Sequence, residues 1–128
     1  NKKSSLFLRI QKDSCTFVIT IDERMEIVFK EEYLQIMYLT GKTDKKHRFQ
    51  PQIVRKYIRV IELMSEVPNV LELNRYHALN YEKLKGDKAG LSSVRVNDQY
   101  RIEFEEQTKE GEIIATICNI TELSNHYK

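Results

Sequence analysis

The chain has 128 residues, 41% hydrophobic and 31% charged, with a formal net charge of +2. This is enough for one domain with a single core that needs no disulfide or metal support. The near-neutral total argues against coating nucleic acid through a summed positive field. Two cysteines, Cys15 and Cys118, give neither zinc spacing nor a disulfide framework, and no apolar run approaches the ~18 residues of a membrane span; a soluble protein of the reducing cytoplasm, with no membrane partner, is expected.

Residues 1–24 look foreign to the rest of the chain, with five basic and three acidic groups, a polar start and a strand-like run from Cys15 to Ile21. The expectation is that residues 1–24 are an N-terminal extension of uncertain status and that residues 25–128 form the functional domain. An ordinary added edge strand is the alternative. Glu26 to Phe29 reads as a strand with Ile27 and Phe29 facing one way. Glu31 to Leu39 carries Tyr33, Leu34, Met37 and Tyr38 at helical spacing and ends near Gly41. A basic loop, Lys42 to Arg48, comes next.

Pro51 suits the first position of a helix, and Ile53, Val54, Tyr57, Ile58, Ile61 and Met64 continue its apolar stripe until Pro68 stops it. Lys56 and Arg59 fall off that stripe, as a solvated face or a contact for an acidic partner. Asn69 is placed to cap a further turn. The pattern then changes to strands: about Ala78 to Lys85, Leu91 to Val96, Gln99 to Glu105 and Ile113 to Ile120, with the tail from Thr121 leaving the sheet. Helices succeeded by strands predict an α+β fold, N-terminal helices on an antiparallel sheet of about four strands.

The stretch from Asn80 to Phe104 concentrates cations: Lys83, Lys85, Lys88, Arg95 and Arg101. Read as a two-residue hairpin, Asn97-Asp98 pairs Val96 with Gln99, Arg95 with Tyr100 and Val94 with Arg101. That register puts the two arginines on opposite faces, and a bulge or strong twist would be needed to bring both to one phosphate. Cleavage of RNA through its own 2′-hydroxyl requires a base, cations for the extra negative charge and an acid for the leaving oxygen. Glu82, the group Lys85, Arg95 and Arg101, and His126 supply those types. Each also has a structural reading: Glu82 as a solvated carboxylate, Arg101 paired to Glu103 along its strand, His126 as a frayed terminus. His47 and His77 are expected on the surface.

The run Glu82-Lys83-Leu84-Lys85-Gly86-Asp87-Lys88-Ala89-Gly90-Leu91-Ser92-Ser93-Val94-Arg95-Val96-Asn97-Asp98-Gln99-Tyr100-Arg101-Ile102-Glu103-Phe104 resembles the RelE/ParE superfamily of bacterial toxins, most closely the HigB branch. Flanking elements extend the resemblance over Met25 to Tyr127. It implies a RelE-like α+β fold, ribosome-dependent mRNA endonuclease activity without cofactor or metal, and a HigA-like helix-turn-helix antitoxin through which the complex touches DNA indirectly.

Ribosome and mRNA are the other partners implied. The His126-Tyr127 ending is similar to the related YoeB toxins and implies Glu82 as base, Arg95 as stabiliser of the phosphorane, Lys85 and Arg101 assisting, His126 as acid and Tyr127 orienting or stacking on a base. The HigB branch itself usually has histidine at the position of Glu82 and ends in Asp-Tyr-His. The interval from Arg101 to His126 is also longer than in those relatives, so Glu122 or Tyr127 remains an alternative acid. The other function open at this point is a non-catalytic ParE-like toxin that inhibits DNA gyrase.

Reversing the charge of Lys56 and Arg59 together is expected to weaken binding to the antitoxin or the ribosome, measured with each purified partner. Unchanged affinity for both would exclude a contact role for this face.

Overall fold

A computed structural model describes residues 24–125. The run Cys15 to Ile21 and the pair His126-Tyr127 lie outside those residues. Strand β1 (Glu26–Phe29) is preceded by Met25, which is buried in the core and whose backbone N–H donates to the Val67 carbonyl at 2.8 Å. Helix α1 (Glu32–Thr40) ends at Gly41, whose φ of 78° is left-handed and suits a residue without a Cβ. Helix α2 (Pro51–Glu66) starts with Pro51 in its first turn, where the missing N–H is no loss, and buries Ile53, Val54, Tyr57, Val60, Ile61 and Met64. The Asn69 side chain then accepts from the N–H groups of Leu71 and Glu72 and opens a 3-10 turn, Val70–Arg75.

The expected strand from Ala78 to Lys85 is shorter than its pattern suggests. His77–Leu79 is a 3-10 turn, Asn80 takes a left-handed φ of 45°, and only Glu82–Lys83 pairs as β2. Strands β3 (Leu91–Arg95) and β4 (Tyr100–Gln107) come next. The last strand is displaced from its expected position: β5 runs Ile117–Asn125. Glu112 closes a loop before it by accepting from Lys109 N–H at 3.1 Å and from the Thr116 hydroxyl at 2.8 Å, and Ile113 is left 94% exposed. Thr121 onward stays in the sheet: an extra residue at Thr121 shifts the register between the Phe104–Ile120 and Glu103–Glu122 pairs, and this turns Leu123, not Glu122, into the core.

Among the described residues the sheet has five strands in the order β1-β5-β4-β3-β2. β1 joins β5 in parallel and the other pairs are antiparallel, which keeps the predicted α+β architecture and adds a parallel edge. Ile27, Val94, Ile102, Phe104, Cys118, Ile120 and Leu123 point to one face and form a single core with both helices. Tyr57 is fully buried between the helices, its hydroxyl donating to the Leu34 carbonyl at 2.8 Å. Burial pushes that phenol far above its ordinary range, so it stays a neutral donor. His47, expected on the surface, stacks on Tyr33 with ring centroids 3.6 Å apart and bonds Asp44, which ties the basic loop to α1; His77 is exposed as expected.

Tyr57→Phe removes the donor at a buried carbonyl and is expected to lower stability by about 1 kcal/mol. Urea unfolding monitored by circular dichroism measures it, and an unchanged midpoint would show the bond contributes nothing net.

Candidate active site on the open face of the sheet

The hairpin between β3 and β4 decides where the cations stand. Asn97 Oδ1 accepts from the N–H groups of Gln99 and Tyr100, both at 2.8 Å, and the Val96 N–H donates to the Tyr100 carbonyl at 2.9 Å. The side chain of Asn97 thus draws a third residue into the turn. The paired residues are Arg95 with Arg101, Val94 with Ile102 and Ser93 with Glu103. Compared with the predicted two-residue turn this is a slip of one, and a slip of one turns every side chain of a strand to the other face. Arg95 leaves the apolar face, where a two-residue turn would put it, and stands directly across from Arg101. No bulge within the hairpin is needed to bring the two together; the observed register shift lies between β4 and β5 at Glu103/Phe104.

An open cleft of about 550 Å³ lies on this face, turned away from the helices and lined by Asn80, Glu82, Ser93, Arg95, Tyr100 and Arg101 among others. Glu82 enters it because it pairs with Ser93 across β2 and β3. Three of the six predicted site residues, Glu82, Arg95 and Arg101, are therefore brought together. Lys85 is not among the residues lining the cleft; it is exposed at the start of the 3-10 turn Gly86–Lys88. His126 and Tyr127 lie outside the described residues, and the preceding Asn125 pairs with Tyr100 at the cleft wall. Glu122 is exposed, faces Glu103 across the β4–β5 pair and does not line the cleft.

Each arginine has a carboxylate partner. Arg95 donates through Nε to the Asn97 carbonyl at 3.2 Å and through Nη2 to Asp98, a well-exposed turn residue. Arg101 donates through Nε to Glu103 Oε2 at 3.0 Å, so the intra-strand pair suggested by the sequence is present. Glu103 is 1% exposed, and Lys88 Nζ also reaches both of its oxygens, at 2.8 and 2.9 Å. Sequence reasoning missed the part played by Lys88. It lies 15 positions away from Glu103, and no local period connects them.

On the opposite face of β4, Glu106 accepts from the hydroxyls of Tyr81 and Ser92, the latter at 2.7 Å, and Lys83 Nζ lies 3.3 Å away. These contacts grip both neighbours of Glu82 in the chain and hold its two-residue strand in place. Burial works to raise the Glu106 carboxyl, but the bonds from Tyr81 and Ser92 and the Lys83 charge outweigh it and leave it below the usual 4.5. Burial, reinforced by the bond to Glu106, pushes the Tyr81 phenol well above its ordinary value, so it remains a donor.

A small α+β domain with two facing arginines and a carboxylate in one open cleft is suited to holding a phosphodiester next to a proton acceptor. Sequence comparison supplies the family. Residues 27–119 match the HigB-like toxin family, described as the RelE-like toxin HigB of type II toxin–antitoxin systems. Toxin HigB-1 of Vibrio cholerae serotype O1 is 30% identical over 82 residues, 63% of this chain and 83% of the relative. Similar solved structures include a YoeB/ParE toxin from Agrobacterium tumefaciens, at 20% identity and a TM-score of 0.46 over 80% of this chain and 100% of that one. A YoeB-YefM complex from Staphylococcus aureus has 22% identity and a TM-score of 0.44 over 81% and 99%. The chain belongs to the HigB-like family and is a toxin of a type II toxin–antitoxin system.

A depressed carboxyl contributes stability that is fully present above its unfolded value and lost as the pH falls through the folded one. Glu106→Gln is thus expected to be less stable than the wild type at pH 7, with the gap closing as the pH falls below about 4.5. Thermal melts across that range test it; a gap independent of pH would assign the loss to packing alone.

Proposed function

We propose that this toxin is a ribosome-dependent mRNA endonuclease that cuts by attack of a 2′-hydroxyl on the adjacent phosphate and thereby inhibits translation. Membership of a family of endoribonuclease toxins supports the activity class and does not favour the gyrase-binding alternative. The single observation that carries the residue-level reading is the pairing of Arg95 with Arg101 in the cleft that Glu82 also lines. In this mechanism Glu82, exposed and reachable, accepts the 2′-hydroxyl proton. Arg95 and Arg101 stabilise the extra charge on the phosphorane. A phosphate competes well for Arg95, because the exposed Asp98 pair is weak in water and a phosphate offers several acceptor oxygens to one guanidinium.

His126 is proposed as the acid for the leaving 5′-oxygen, with Tyr127 beside the base of the substrate. The support is that Asn125, the residue before them, pairs with Tyr100 at the cleft wall. Lys85 serves as a more distant cation at the rim. The nucleophile is part of the substrate, so the reaction has no need of a metal-activated water. We take residues 25–128 as the toxin domain, supported by the match over 27–119 and by the burial of Met25. As a type II toxin the chain has an antitoxin partner; a HigA-like helix-turn-helix protein, which would link the complex to DNA, and action in the cytoplasm at the ribosome complete the proposal.

Primer extension on a defined message in a purified translation system tests this reading. Wild type is expected to cut within codons only when ribosomes are present. Arg95→Ala is expected to lose roughly 100-fold or more, as for removal of a charge-stabilising donor, and Glu82→Ala and His126→Ala roughly 100-fold each. Intact message with the wild type would overturn the nuclease reading.

A further inference from the structure

Two like charges on directly opposed positions of an antiparallel pair repel. Arg95 and Arg101 nevertheless stand across from each other, and the two carboxylates that make this tolerable are held very differently. Asp98 is an exposed turn residue with an 89% exposed side chain, whereas the side chain of Glu103 is 1% exposed on an otherwise open face. Lys88 and Arg101 cover it from two sides, and its oxygens accept three bonds from them, at 2.8, 2.9 and 3.0 Å. Removing a carboxylate from water is costly, and a buried ion pair often adds little net stability over an apolar replacement. What such a clamp does supply is geometry: it fixes one edge of the Arg101 guanidinium. Among the described residues Nε is the only donor of that group with a partner, so its Nη donors remain available in the cleft that Arg101 lines.

Resting on the nuclease reading above, we infer that Glu103, itself anchored by Lys88, is a positioning residue that holds Arg101 oriented for the phosphate before substrate arrives. Arg95, tied only to the exposed turn, is the arm that moves to the phosphate, and Arg101 is the fixed one. Glu103 does not touch the reacting atoms in this scheme. It acts through Arg101, and its loss should act on the rate of the chemical step more than on capture of the programmed ribosome.

Single-turnover cleavage of a synthetic message on programmed ribosomes tests this with wild type, Glu103→Gln, Glu103→Asp, Arg101→Ala and the Glu103→Gln/Arg101→Ala double variant, all checked for folding by thermal melts. Displacement of a positioned group by about an ångström costs on the order of 100-fold. Glu103→Gln is accordingly expected to cut about 10- to 100-fold more slowly with half-saturation changed less than about 3-fold, Glu103→Asp to recover part of the loss, and the double variant to be no slower than Arg101→Ala alone, because two groups acting as one unit are not additive. A Glu103→Gln as fast as wild type, or losses that multiply in the double variant, would overturn the inference while leaving the nuclease reading intact. A wild type that does not cut would remove both.

Should the Glu103 variants fail to fold, the wild type alone decides. The Arg101 Nε–H is expected as a slowly exchanging resonance in ¹⁵N-edited spectra, and rapid exchange with solvent would overturn the clamp.

Discussion

The register of the β3–β4 hairpin is the constraint on which the site depends. It is held by one side chain: Asn97 accepts from two successive backbone N–H groups and lengthens the turn by a residue. A strand has a period of two, so this single added residue decides which side of the sheet each hairpin residue occupies. With it, Val94, Ile102 and Phe104 go into the core together, while Arg95, Arg101 and Glu103 share the opposite face.

The two faces of the sheet divide the labour of the chain. One buries the apolar stripes of α1 and α2, closed by the internal bond from Tyr57 to the Leu34 carbonyl. The other carries the cleft, and among the described residues neither α1 nor α2 contributes to its lining. β4 lies at the centre of the sheet order and serves both sides with a carboxylate. Glu103 gathers Lys88 and Arg101 on the open face, and Glu106 gathers Tyr81, Ser92 and Lys83 on the other. Short, weakly paired β2 depends on the second of these, since two ladder positions alone do little to fix an edge.

Under the proposed nuclease reading, this arrangement also accounts for how a nearly neutral protein would meet a polyanion. The field at the cleft is local, built from arginines whose counter-charges are a buried glutamate and an exposed aspartate. Such a site suits a phosphate presented to it in place, not a long stretch of backbone gathered by net charge. The exposed basic face of α2, with Lys56 and Arg59, lies on a different element and offers a separate contact for a partner.

Local chemistry was sufficient for much of this. Apolar period, Pro51, Gly41 and Pro68 marked both helices and where they stop, and Asn69 marked the 3-10 turn after them, because capping and amphipathicity act within a few residues. The cation-rich hairpin and the family pattern around it singled out Glu82, Lys85, Arg95, Arg101, His126 and Tyr127 from the sequence alone. Tertiary structure decided the rest. Whether Asn97-Asp98 makes a turn of two residues or three depends on a side-chain bond that the dipeptide itself does not dictate, and the faces of Arg95 and Arg101 depend on it in turn. Where β5 begins and ends was set by the Glu112 loop and by pairing with β4, interactions that neither Ile113 nor Thr121 reveals alone. The Lys88 clamp on Glu103 joins residues far apart in the chain, and only the folded sheet brings them within hydrogen-bond reach.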